Sequence, residues 1–439
     1  MGSDMNTENS DIKTDNMEPI KADLTIIGTG MAGLSAALFA LEQDLSVVLT
    51  GKTSSIHFAT GLMDLMGVYP AGHQWDDPFA AIDRIRAEVP EHPYAAISNK
   101  DIDTALETVQ QFLGDNGLPY RRNSARNVDI ITSMGTLKKS HMIPLSMWRG
   151  VKVLEERLPT LLMDFTGLKI YSARQIRSAL GGTWKGLRDE TIQFPGTELM
   201  EEVFPEHLAR SLDVQENREK LAQKILPLVK DATAVGFPAL LGMYKSCETL
   251  RALEKLLGVT VFEIPTPPVS VPGIRLQEIF LKGLKQNDAL LSLPEMVKRV
   301  ESFSSGKFKI TAGESGTLKR IESKGVILAT GRFLGKGLTA ERTGIRESLM
   351  DLPVTQPTER DKWHNPHLFD PQGHPINRAG LQVDGMFQPL AESSMPFSPG
   401  LFAAGSILAH CDWTRLKCGS GVAIATAHAA VRAFCKRYK

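Results

Sequence analysis

Apolar residues along this chain fall into short blocks, and each block ends either in a glycine-rich turn or in a polar stretch with helical spacing. Residues 22–27 predict a buried strand, 34–41 a helix and 45–49 a second strand. Further helices are predicted at 101–113, 172–180, 217–230, 247–257, 274–286 and 422–434. Strands are predicted at 161–165, 234–237, 259–264, 295–303, 307–312, 319–322 and 325–331, with another opening at 400. Residues 265–273 carry four prolines and predict a stiff linker, because each proline fixes φ and removes a donor. Alternating helices and strands place the chain in the α/β class. The pattern divides it into an acidic tail (1–21), a discontinuous Rossmann-like domain (22–61 and 290–439) and an inserted α/β region (62–289).

The first strand runs directly into Gly28, Thr29, Gly30, Met31, Ala32 and Gly33, and a helix follows. Strand, glycine turn and helix N-terminus in that order make an anion site. Backbone N–H groups face the phosphate and the helix dipole favours its charge. Gly28 permits the turn, Gly30 lets the backbone approach the ligand, and Gly33 lets helix and strand pack closely. A dinucleotide site also wants a carboxylate about 20 residues on, at the end of the second strand, to hold the adenosine ribose. Here that strand ends in Thr50, Gly51 and Lys52. Either another residue takes the ribose, or the ligand lacks adenosine and is FMN rather than FAD or NAD.

Two later motifs point back to the same domain. Residues 325–331 end in Gly331, and residues 400–406 end in Gly405 and Ser406. Gly419, Ser420 and Gly421 then open a helix of small residues, whose positive end suits the edge of a flavin that gains negative charge on reduction. Three such motifs in this order predict an FAD/NAD(P)-binding Rossmann-like flavoprotein of the type with two dinucleotide-binding domains.

Composition narrows the partners. Fifty basic side chains balance 50 acidic ones, which argues against nucleic acid as the main partner. Residues 1–20 hold five acids and one base and predict a disordered tail; whether it is native or partly tag-derived is open. The 18 uncharged residues at 24–41 have the length of a membrane span. Three glycines in a phosphate-turn arrangement favour strand plus helix instead. The four cysteines, Cys247, Cys411, Cys418 and Cys435, form no C-x-x-C pair, so no metal is expected to be held by this chain alone.

Several strings carry a more specific signal: HFATGLMDL (57–65), HPY (92–94), MGTL (134–137), LMDF (162–165), PTPP (265–268), GIRLQ (273–277), AERTGIRE (340–347) and CGSGV (418–422). Through them, residues 23–433 resemble the B subunit of anaerobic glycerol-3-phosphate dehydrogenase. The chain departs from that family in its acidic tail and in the loop 409–417. The resemblance implies FMN as cofactor, with FAD as the alternative. It implies a complex in which an FAD-containing A subunit oxidises glycerol 3-phosphate to dihydroxyacetone phosphate. An iron–sulfur C subunit would tie the assembly to the membrane and its quinone pool. This chain would then serve electron transfer on the cytoplasmic side of the inner membrane, peripherally through its partners. Two other readings stay open: a self-sufficient FAD-dependent oxidoreductase of a small alcohol or amine, and a flavin-poor docking subunit.

Single residues divide between chemistry and structure. Ser406 stands where a ribityl contact is expected, and its hydroxyl can bond a ribityl oxygen or simply serve the turn. His57 can bond or protonate a flavin ring or play a structural part, and it is the candidate catalytic residue. Thr60 and Gly61 follow as backbone contacts. Lys138, Lys139 and His141 form a basic cluster that can hold a substrate phosphate or be solvated. Arg342 and Arg346 can hold a phosphate or a partner's carboxylates. Cys418 reads as a small packed thiol, and its spacing from Cys411 does not argue for a disulfide.

Overall fold

The computed structural model describes residues 18–51, 55–292, 295–303, 306–314 and 318–439. Residues 1–17 of the expected tail, and Lys52 after the second strand, lie outside this set. The elements that frame the site are, in chain order, strand β1 (Ile20–Ile27), helix α1 (Met31–Leu41), strand β2 (Val47–Thr50) and helices α2 (Pro78–Glu88), α3 (Asn99–Asp115) and α4 (Leu145–Glu155). Strands β3 (Thr160–Phe165), β4 (Leu187–Ile192), β5 (Ala234–Pro238) and β6 (Thr260–Ile264) follow, then helix α5 (Val271–Gln286). Strands β7 (Leu290–Ser292), β8 (Val297–Ser302), β9 (Phe308–Ala312), β10 (Lys319–Leu328) and β11 (Leu401–Ala403) lead to the C-terminal helix α6 (Gly419–Tyr438).

Seven strands make the larger sheet, in the order β7-β2-β1-β10-β9-β8 with β11 beside β10. The β7, β2, β1, β10 and β11 pairings are parallel, whereas β8, β9 and the first half of β10 form an antiparallel meander. The parallel strands are apolar because helices cover the sheet: Leu24, Ile26, Leu49, Val326, Ile327, Leu328 and Phe402 are all buried. Helices α1 and α6 pack on each other, with His428 edge-on to Phe39 at a ring separation of 5.0 Å. The architecture is the Rossmann-like FAD-binding type expected from the sequence.

A second, four-stranded parallel sheet, β6-β5-β3-β4, carries its own core of Leu161, Leu162, Phe165, Phe237, Val261 and Phe262. The expected insertion 62–289 contributes to both cores, since Ile82 in α2, Val109 in α3 and Phe280 in α5 pack into the core of the larger sheet.

Several boundaries differ from the sequence reading, three of them for a clear physical reason. Ile20 and Lys21, read as tail, belong to β1, because they pair with Ile321 and Glu322. Residues 319–328, read as two pieces, are one strand that spans the antiparallel and parallel halves of the sheet. Val271, Pro272 and Gly273, read as linker, form the first turn of α5. A proline in the first turn has no helical hydrogen bond to lose, and the Ser270 hydroxyl caps the turn by accepting from Gly273 N–H at 3.2 Å.

Candidate functional site

The glycine turn between β1 and α1 is packed against backbone at Gly28 and Gly33. Gly28 sits at φ +121°, and its N–H donates to Thr50 O at 2.8 Å. A Cβ on Gly28 would lie 2.1 Å from Ala329 O, and one on Gly33 would lie 1.8 Å from Gly28 O. The turn, the end of β10 and the first turn of α1 therefore touch, and only glycine permits it. Gly30 caps α1 with no side-chain hydrogen bond, so the cap residue leaves the orphan N–H groups of that helix end without a side-chain acceptor of its own.

The later motifs arrive at the same place. Gly331, at φ +69° past the end of β10, has Ser406 Oγ as the nearest atom to a Cβ, at 3.5 Å. Gly405, at φ +80°, presses on α1, where a Cβ would stand 2.6 Å from Ala32 Cβ. Its N–H donates to Thr426 Oγ1 at 2.9 Å, and that hydroxyl donates to Val422 O at 2.6 Å. One threonine in α6 thus fixes the β11 turn to the C-terminal helix. Helix α6 starts at Gly419, and its N-cap, Cys418, makes no side-chain capping bond. Gly421 N–H donates to Asp64 O at 2.8 Å, and its Cα hydrogens face Tyr94 and Leu65 so closely that a Cβ would meet Tyr94 Oη at 2.4 Å.

The structure therefore brings Gly28, Thr29, Gly30, Met31, Ala32, Gly33, Gly331, Gly405 and Ser406 into one neighbourhood, with the start of α6 beside it. Two helix N-termini without a side-chain cap border it, and Gly28, Gly30, Met31, Gly331, Ser406, Gly419 and Ser420 are all half-buried. Next to Gly331, Thr330 Oγ1 is buried against Gly337 and has no hydrogen-bond partner among the described residues. A rim of half-buried glycines, uncapped N–H groups and an orphaned hydroxyl fits an anionic, hydrogen-bonding cofactor.

The 57–61 loop is held by the N-terminal turn of α5. Ser270 N–H donates to His57 O at 3.1 Å, the Ser270 hydroxyl donates to Ala59 O, and Gly273 packs so tightly on Ile56 and Ala59 that it admits no Cβ. Gly61, at φ +84°, accepts from Tyr120 Oη at 2.8 Å. His57, Thr60 and Gly61 are thus clamped on the first turn of α5. The basic cluster does not present free charge: Lys138 pairs with Asp64 at 2.6 Å, and Lys139 with Asp76 and Asp129 at 2.7 and 2.9 Å. His141 is fully buried, and burial first, with the Arg122 charge second, pushes its imidazole down to about 4. Arg346 is exposed and pairs at 3.0 Å with Asp351, just past its own surface hairpin.

At the end of β2 the buried Thr50 hydroxyl faces Glu295 O at 3.5 Å. A Cβ on Gly51 would stand 2.9 Å from Thr29, so no larger side chain fits there. A carboxylate reaches this strand end from another element: Glu295 N–H donates to Gly51 O at 3.2 Å. Its side chain accepts from Ser292 Oγ at 2.7 Å and pairs with Lys319. Sequence spacing from the glycine turn does not reveal Glu295, because it follows β7. Asp64 and Tyr94 lie in strings the sequence singled out, but their contacts with Gly421, like that of Thr426 with Gly405, cross long stretches of chain and left no local pattern.

Residues 23–422 match the model of the FAD binding domain family. The chain is 28% identical over 422 residues to the B subunit of anaerobic glycerol-3-phosphate dehydrogenase from Vibrio vulnificus (strain YJ016), covering 93% of this chain and 95% of that protein. It is 26% identical over 419 residues to the protein of the same name from Yersinia pestis, covering 93% and 96%. Among solved structures, 3-ketosteroid delta1-dehydrogenase from Sterolibacterium denitrificans aligns with a TM-score of 0.44 at 13% identity, covering 95% of this chain and 100% of that one.

Proposed function

The chain belongs to the FAD binding domain family, and we propose that it is the flavoprotein B subunit of an anaerobic glycerol-3-phosphate dehydrogenase, carrying electrons between partner subunits. One observation carries the reading: the turns after β1, β10 and β11 meet at the start of α1, beside the start of α6, and neither helix end has a side-chain cap. The names of the relatives supply the reaction, the oxidation of glycerol 3-phosphate. A flavin supplies reversible uptake of an electron pair. Gly30, Met31, Ala32 and Gly33 offer backbone N–H groups to its phosphate. Ser406 and Thr330 offer hydroxyls to the ribityl chain, and the α6 N-terminus lies where reduction builds negative charge. The His57–Gly61 loop would close the remaining side from α5, and the smaller sheet would serve as a cap or partner-binding region.

We assign FMN, because Thr50 offers no ribose clamp and Glu295 is already engaged by Lys319 and Ser292. Among the described residues, no helix is long and apolar enough to cross a membrane, in keeping with attachment through partners. Those partners would be an FAD subunit that oxidises the substrate and an iron–sulfur subunit that passes electrons to quinone. The test is reduction of this chain's flavin by glycerol 3-phosphate, with and without co-purified partners. Bleaching only in the complex is expected; turnover by the chain alone overturns the electron-transfer role. Acid release should yield FMN, and FAD in its place would hand the ribose to Glu295.

A further inference from the structure

Cys411 and Cys418 are 2% and 0% exposed, and their sulfurs stand 3.7 Å apart. The sequence hides this approach, because the seven-residue spacing closes only through the short helix Trp413–Leu416 and the left-handed Lys417 after it. His92, far away in sequence and 1% exposed, brings a ring nitrogen into the same cluster, and all three candidate ligand atoms lie within 4.8 Å of one another.

The histidine's hydrogen bonding decides between a metal site and a thiol pair. A metal-ligating imidazole donates its second ring N–H to an acceptor. Here His92 Nδ1 faces a donor instead, the Tyr94 backbone N–H at 3.2 Å. Nδ1 is therefore the acceptor, and the ring proton sits on Nε2, which is buried with no other partner. The His92 side chain helps to lower the Cys411 thiol, which favours a thiolate in the cluster over a bound cation. Arg332 adds positive charge nearby: its guanidinium donates to Cys411 O at 2.8 Å and Leu408 O at 2.9 Å. The Cys411 thiol is accordingly held well below its ordinary value, first by the Cys418 S–H, while burial pushes Cys418 up. One thiolate beside one thiol is the starting state for disulfide chemistry.

The cluster adjoins the cofactor neighbourhood along the chain at two points. Cys418 is the N-cap of α6 and precedes Gly419, and Arg332 follows Gly331. We propose that Cys411 and Cys418 are a redox-active dithiol that exchanges an electron pair with the bound flavin, a role that rests on the flavin reading above. In the oxidising direction the Cys411 thiolate and the Cys418 thiol join in an S–S bond and the one S–H bond is lost. Two electrons and one proton leave the pair for the oxidised flavin, which would become its singly protonated reduced anion, so the balance needs no other reactant. Closing the bond requires the sulfurs to approach by about 1.7 Å, to the usual separation near 2.0 Å.

The test is anaerobic dithionite titration of the flavin-loaded full-length chain, first held in air until the flavin is fully oxidised. Wild type is expected to take up four electrons per flavin, and Cys411→Ser or Cys418→Ser only two. After denaturation and alkylation, the reduced wild type should carry label on all four cysteines. The air-oxidised form should carry it on two, with a cross-linked peptide joining Cys411 to Cys418. A flavin-loaded wild type that takes up two electrons and shows no cross-link overturns the dithiol. Stoichiometric bound zinc that shields both thiols overturns it in favour of a metal site. A chain that takes up no flavin overturns the flavin reading and the exchange with it; the cross-linked peptide, read on the wild type, does not depend on a variant that folds.

Discussion

Replacing Glu263 by glutamine tests how the smaller sheet is fastened to the flavin neighbourhood. Glu263, in β6, is fully buried and meets Arg275, in α5, through two bonds of 2.8 and 3.0 Å; the arginine is 3% exposed. The carboxylate also accepts from Ser146 Oγ and Leu241 N–H, both at 2.6 Å, and Arg275 Nε donates to Gly242 O at 2.8 Å. Burial alone would push Glu263 up, but the Arg275 charge and these bonds outweigh it and hold the carboxyl below its ordinary value. The glutamine variant keeps the shape, loses the charge and turns an NH2 toward a guanidinium. Breaking a buried pair from one side costs about 3–5 kcal/mol, a large part of a typical folding free energy of ~5–15 kcal/mol. Urea denaturation of the Glu263→Gln, Arg275→Met and doubly substituted chains gives the cycle. The double variant should lose less than the sum of the singles by about 2 kcal/mol or more. Because α5 also holds His57 and Ala59 through Ser270, amide exchange in 57–61 should quicken in Glu263→Gln. Additive single losses, or a Glu263→Gln loss below about 1 kcal/mol, would refute the claim that these charges are paired and buried.

Gly33→Val places a side chain where even a Cβ is 1.8 Å from Gly28 O, so the purified chain should retain little or no flavin by absorbance. Thr426→Val removes the acceptor of Gly405 N–H; it should cost about 1–3 kcal/mol in denaturation and weaken flavin binding measured by fluorescence quenching. His141 predicts acid sensitivity. Its folded value of about 4 lies below the ordinary 6.5, so its stabilisation is complete above pH 6.5 and drains away as pH falls toward 4. The loss is about 3 kcal/mol in all, and it should shrink in His141→Phe when midpoints are compared across that window.

The phosphate turn was legible because all its information is local: an apolar strand, three glycines at fixed spacing and a small-residue helix within 20 residues. The turns at Gly331 and Gly405 were legible as motifs, and their meeting followed from the parallel order of strands such a fold imposes. Pro272 misled because proline signals a break everywhere except in the first turn of a helix, where it sits. The pairs that act across long stretches of chain left no trace. Glu263 with Arg275, Asp64 with Gly421, and His92 with Cys411 and Cys418 have no shared period or spacing. Their partnership is set by how two cores pack, which no local pattern encodes.

The central claim is that the glycine turns and the two helix ends enclose one flavin together. Hydrogen–deuterium exchange of the flavin-free and flavin-loaded chain tests it directly. Flavin should slow exchange at 28–33, 329–331, 405–406 and 419–421 in parallel, with one saturation curve for all four. Protection confined to a single segment, or appearing away from all of them, would contradict the account.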